Sequence, residues 1–225
     1  MINDGEQKMK RINIKSVDLN NSYFHFTDIL NLDSIEQRGL EARVGENTNL
    51  VGGTGKRIYV SKGIKGILSI IDTFLIKFEE TRICDIPLSQ RKYFSDIDDF
   101  SGEGTPTKEQ IYAAFRNEMR DRVYLWVDIA SEDFLEEDNK HWGGTSYDIY
   151  CKENHNIGQE KLSIVSTDKG STALDVIIEA YDIAYKRFKE NGKEELFIRN
   201  FKHLNEWIKS AKQLDSNLDL DDESR

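Results

Sequence analysis

Three short stretches, taken in order, constrain this chain most: Tyr23-Phe24-His25-Phe26-Thr27, then Ser34-Ile35-Glu36-Gln37-Arg38-Gly39-Leu40, then Gly55-Lys56-Arg57-Ile58-Tyr59-Val60-Ser61. The first and last are rich in the aromatic and β-branched residues that suit strands. In the middle stretch Asn31 reads as an N-cap, Leu32, Ile35 and Leu40 mark a short helix, and Gly39 supplies the left-handed residue that ends one. A strand carrying His-x-Thr, a helix closed by Gly-Leu and a strand carrying Tyr-x-Ser are expected to bring an imidazole and a phenol together.

Around this nucleus the pattern alternates between strand and helix. Residues 11–18 alternate apolar and polar side chains, which predicts a half-buried strand, and residues 22–27 predict a second. The loop holding Gly45, Gly52, Gly53 and Gly55 is expected to be mobile or to wrap a ligand. Ile58–Ser61 reads as a short strand, followed by a helix whose apolar residues fall on one broad face from Ile64 to Phe78. Residues 89–106 read as a long polar connection, and Thr107-Lys108-Glu109-Gln110 as a capping box that starts another helix. Val123–Ile129 is the strongest strand signal, with further strands expected at 147–151 and 162–166.

The C-terminal part changes character. Leu174, Ile177, Tyr181, Ala184 and Phe188 share a helix face that stops near Asn191-Gly192, and a second helix presents Leu196, Phe197, Phe201, Leu204, Ile208 and Leu214. The expected fold class is α+β, with a body over 1–170, a helical hairpin over 171–214 packed on the same domain, and an acidic disordered tail over 215–225.

Composition narrows the function classes. The chain has 225 residues, 38% of them hydrophobic, and a formal charge of −10. That length suits one sizeable core, and the negative charge opposes broad attraction to phosphate backbones. No run of about 18 apolar residues is present to span a bilayer, and Met1–Glu6 lacks the basic and apolar regions of a secretory signal, so a cytoplasmic protein is expected. Cys84 and Cys151 stand far apart, outside zinc or disulfide spacing, and His141, His155 and His203 lack paired spacing, so no metal is expected. Gly52-Gly53-Thr54-Gly55-Lys56 lacks the GxxxxGK[ST] spacing of a P-loop.

The order of elements resembles the ADP-ribosyltransferase superfamily, in its diphtheria-toxin and poly(ADP-ribose)-polymerase-like branch. Those proteins show His-Gly-Ser/Thr, then Ser-Ile-x-x-x-Gly-Leu/Phe, then Gly-x-Gly-Ile-Tyr-Phe-Ala/Ser. The likeness covers residues 22–80 and, more loosely, 122–166. It implies a split mixed β-sheet with flanking helices that clamps NAD as co-substrate. His25 and Thr27 fall on the His-x-Ser/Thr motif, Tyr59 on the tyrosine that stacks on nicotinamide, and Ser61 on the small residue after it. The backbone at Phe26, where the family has Gly, would meet the carboxamide.

The family also implies a catalytic carboxylate. Aligning Tyr147-Asp148-Ile149-Tyr150 with the family's Glu-Tyr-Ile-Val-Tyr puts Asp148 nearest that place, with Glu153 and Glu160 as weaker candidates. Arg57, with Arg38 and Arg43 beside the glycine loop, is of the type that chelates phosphate in two-point fashion. These expectations add up to transfer of ADP-ribose from NAD to a macromolecular or small-molecule acceptor. Hydrolysis of NAD, or a binding module of the same fold without turnover, remain open beside it. The acceptor and the oligomeric state are not legible.

Overall fold

Among the described residues seven strands form the sheet: β1 (Lys10–Asn13), β2 (Tyr23–Asp28), β3 (Tyr59–Lys62), β4 (Arg122–Val127), β5 (Leu135–Glu137), β6 (Asp148–Cys151) and β7 (Leu162–Ser166). Their order is β1-β7-β4-β2-β3-β6-β5, which puts β2 at the centre. β1 and β7 are parallel, and every other neighbouring pair is antiparallel, so the sheet is mixed. Seven α-helices accompany it among the described residues: α1 (Leu32–Arg38), α2 (Gly63–Glu80), α3 (Leu88–Arg91), α4 (Lys108–Arg120), α5 (Ala173–Glu190), α6 (Glu194–Asn200) and α7 (Lys202–Asp222). The computed structural model describes residues 8–43, 56, 58–129, 135–137, 148–151 and 155–222, with the backbone alone described for 135–137, 148–151 and 214–222. The fold class is therefore mixed α+β.

The chain forms two compact units, Met1–Ile67 with Arg122–Val176 and Leu68–Asp121 with Ile177–Arg225. The first holds all seven strands. Val123, Leu125 and Val127 alternate along β4 and bury one face of the sheet together with Val60, Ile35, Leu40, Ile157, Leu162 and Ile164. α1 ends where Gly39 turns to φ +73°, and a Cβ there would lie 2.2 Å from the Ile157 carbonyl oxygen. Glycine is thus required both by conformation and by space. It lets Leu40 and Ile157 exchange two backbone hydrogen bonds of 2.9 Å, which tie the end of α1 to the segment leading into β7.

The second unit is helical and aromatic. Phe115 packs edge-on against Phe78 and Trp207, with ring centroids 6.0 and 5.2 Å away. The Trp207 indole donates to the Tyr112 carbonyl at 3.2 Å. Tyr181 donates to Asn205 at 2.6 Å, and Phe197 sits among the rings of Tyr181, Tyr185, Phe188 and Phe201. The buried Asp72 carboxylate accepts the Leu204 N–H at 2.7 Å, capping the start of α7 from another helix.

Several boundaries differ from the sequence pattern for local reasons. The strand expected over 11–18 stops at Asn13, whose side chain accepts the Lys15 N–H and folds Ile14–Ser16 into a 3-10 turn. The single second C-terminal helix is two, because Phe201 leaves helical geometry at φ −126°, ψ 48°. Helix α7 runs on to Asp222 through residues whose composition suggests a disordered tail. A helix already nucleated by a packed segment extends at little cost. The polar connection holds the short α3, and β5 lies where the pattern predicts no strand. The capping box at Thr107 and the bounds of β7 are as the pattern indicates.

Candidate functional site

β2 carries His25 and Thr27 on the face that holds the apolar core. In its register with β4, Tyr23 stands opposite Val127, His25 opposite Leu125 and Thr27 opposite Val123. The alternate residues point the other way. Phe26 stands opposite Tyr124 with ring centroids 5.1 Å apart, and the Arg122 guanidinium lies 5.6 Å from the Phe26 ring. Phe26 therefore directs its side chain to the face opposite His25, and only its backbone is shared with the His25 side.

The decisive feature is where β2 and β3 stop pairing. They match at Tyr23↔Lys62 and Phe24↔Ser61, whereas β2 continues against β4 to Asp28 and β3 continues against β6 to Tyr59. The Ser61 hydroxyl donates to the Phe24 carbonyl at 3.3 Å, at the last shared pair. Beyond it the link between the strands passes through a side chain, with His25 Nδ1 lying 2.8 Å from the Tyr59 carbonyl oxygen. A carbonyl accepts only, so Nδ1 carries the proton and Nε2 presents a lone pair. Burial pushes the His25 imidazole below its ordinary pKa, and the Tyr59 carbonyl opposes that shift in part. The ring is neutral at pH 7.

The remaining expected residues divide by position. Tyr59 is half-buried and, by alternation with Val60, shares the sheet face of Ser61, opposite His25, so the expected meeting of imidazole and phenol does not occur and His25 meets the Tyr59 carbonyl instead. Ser61 is buried beneath α2, where a Cβ on Gly66 would approach its Cβ to 3.1 Å. Thr27 is 7% exposed, and its Oγ1 accepts from Asn31 Nδ2 at 3.2 Å. Asn31 itself makes no side-chain cap bond to α1. That amide contact is the site feature the sequence reading missed, because Asn before a helix signals a cap.

Among the carboxylates, Asp148 is placed by its backbone: it stands opposite Ser61 on the strand beside β3. Its side chain, Arg57 and Glu153 lie outside the described residues. Glu160 is exposed in the turn Gln159–Lys161 at the start of β7, and Leu162 there pairs with Val127, opposite Tyr23. That is the end of β2 away from the parting of the strands. Arg38 and Arg43 are exposed and both face Glu41, Arg43 at 2.5 Å and Arg38 at 3.9 Å.

No protein-family model, curated protein or solved structure matches the chain. Among the described residues no group of three or more His, Cys, Asp or Glu side chains is placed to hold a metal ion. No described helix is long and apolar enough to cross a membrane.

Proposed function

We propose that this chain is an NAD-dependent ADP-ribosyltransferase, which passes ADP-ribose from NAD to a macromolecular or small-molecule acceptor and releases nicotinamide. The observation that carries the reading is the parting of β2 from β3 after Phe24↔Ser61, with His25 reaching across to the Tyr59 carbonyl. The Phe24 carbonyl faces β3, where Ser61 donates to it. Phe26, two residues on, turns its backbone N–H and C=O to the same side. A carboxamide needs one acceptor and one donor, and a strand edge supplies both whatever the side chain is.

Neutral His25 suits a ribose hydroxyl, because its Nε2 lone pair accepts an O–H. Asp148, one strand beyond β3, supplies the carboxylate in this reading. Breaking the bond between ribose C1′ and the nicotinamide nitrogen sends the electron pair to the ring, which leaves neutral. The ribose is then oxocarbenium-like, and a fixed negative charge beside it stabilises charge that develops only in the transition state. The acceptor's nucleophile closes the new bond to C1′ and gives up its proton to solvent water. Glu160 is the weaker choice because it stands at the other end of β2.

A second reading, a binding module of the same fold without turnover, is favoured by one observation: the aligned residue is Asp148 where the family has the longer Glu. Placement errors of about 1 Å cost on the order of 100-fold in rate. Calorimetric titration of NAD into the native chain and into His25→Ala tests the shared premise of both readings. Saturable binding, weakened about tenfold in the variant by loss of an acceptor, is the expected result. Absence of binding to the native chain removes both.

A further inference from the structure

We infer that Asn31 is a positioning residue that fixes the direction of the Thr27 hydroxyl, so that Thr27 offers a hydrogen-bond donor to an acceptor oxygen of the dinucleotide. The inference rests on the NAD reading of the same stretch of β2 and adds a polarity to it. An Asn at the boundary of a helix ordinarily accepts an N–H of the first turn. Here Asn31 has helical φ and ψ of −84° and −11° and makes no such bond. A 3-10 turn over Ile29–Asn31 leads into α1: the Leu32 N–H bonds the Ile29 carbonyl, and the Asp28 side chain caps that turn by accepting the Leu30 N–H at 2.9 Å.

The Asn31 amide is therefore released from capping, and its Nδ2 donates to Thr27 Oγ1 at 3.2 Å. An NH2 group donates only, so the Thr27 oxygen accepts and its own proton is turned elsewhere. Thr27 shares a sheet face with His25, about 7 Å along the strand. The two side chains then present opposite polarities side by side, a lone pair at His25 Nε2 and an O–H at Thr27. That arrangement selects a ligand carrying a hydroxyl next to an acceptor oxygen, as a ribose does.

Reversing the bond without removing it tests the assignment. Asn31→Asp keeps the size of the side chain and its link to Thr27, but a carboxylate accepts the Thr27 proton and takes the donor away. Binding of NAD by calorimetry, with thermal melting in parallel, is measured for the native chain, Asn31→Ala, Asn31→Asp and Thr27→Val, and for Asn31→Ala in the Thr27→Val background. The expected result is affinity weakened about fivefold in Asn31→Ala, the worth of one hydrogen bond, and at least as much in Asn31→Asp although that variant melts like the native chain. Asn31→Ala is expected to add nothing once Thr27 is Val. Native affinity in Asn31→Asp, or full additivity in the double variant, overturns the assignment while leaving NAD binding intact. A native chain that does not bind NAD overturns the underlying reading and the assignment together.

Discussion

His25 Nδ1 lies 2.8 Å from the carbonyl oxygen of Tyr59, and this bond stands where the backbone ladder between β2 and β3 has ended. It also fixes a sign for pH dependence. The folded imidazole has a pKa below its usual value of 6.5, with burial as the main cause. Between the lowered folded value and 6.5 the unfolded chain binds more protons, so this group's contribution to stability is present above the unfolded pKa and lost as pH falls through the folded one. Denaturant unfolding at pH 7.5 and 5.5 should therefore show a smaller acid loss in His25→Gln than in the native chain. An equal loss contradicts a half-buried, neutral His25.

Gly39→Ala is expected to destabilise the protein by about 2 kcal/mol or more, since it combines a left-handed backbone with a clash. The Cβ would lie 2.2 Å from the Ile157 carbonyl oxygen, and backbone has little freedom to retreat. Urea unfolding within about 0.5 kcal/mol of the native chain, the range of neutral surface changes, contradicts the bridge between Leu40 and Ile157.

The Tyr124 hydroxyl is buried with no hydrogen-bond partner among the described residues, and burial pushes its pKa far up. Tyr124→Phe removes a desolvated polar atom and nothing else. It should leave stability unchanged or raise it by about 1 kcal/mol, with NAD affinity unaltered. A marked loss of stability in thermal or denaturant unfolding counts against the packing described for this face of β4.

Asp72 couples two helices through the Leu204 N–H, and burial raises its pKa above the ordinary carboxylate value. Asp72→Ala should lower stability by about 1 kcal/mol, as loss of a cap does. Asp72→Asn keeps an acceptor and has no charge to desolvate, so near pH 7 it should match or exceed the native chain. Because the folded pKa is raised, the native chain gains relative to Asp72→Asn as pH falls through it. A relative loss on acidification contradicts the buried, raised carboxyl.

Much of the sheet was legible because its strands carry strong local signals. β4 and β7 are runs of β-branched and apolar residues, and the end of α1 is marked by the one residue type that tolerates Gly39's geometry. What escaped was set by contacts distant in sequence or by short polar bonds. The three residues of β5 exist as an edge beside β6 and have no period to read. Asn13 ended β1 early by bonding the Lys15 N–H, and the break at Phe201 appears only as a change of backbone angle. In the site, the motif order set β2 beside β3, but the imidazole of His25 and the phenol of Tyr59, expected to meet, lie on opposite faces of the sheet. That the partner is the carbonyl, and that Phe26 turns its ring to the opposite face, follow from register rather than composition.

Release of nicotinamide from NAD by the purified chain, measured beside Asp148→Asn, tests the account most directly. The native chain should release it, and loss of the carboxylate should slow release on the order of 100-fold, as removal of a single charge-stabilising group does, while NAD still binds. Binding without any release by the native chain, or equal rates in both proteins, contradicts a transferase that uses Asp148.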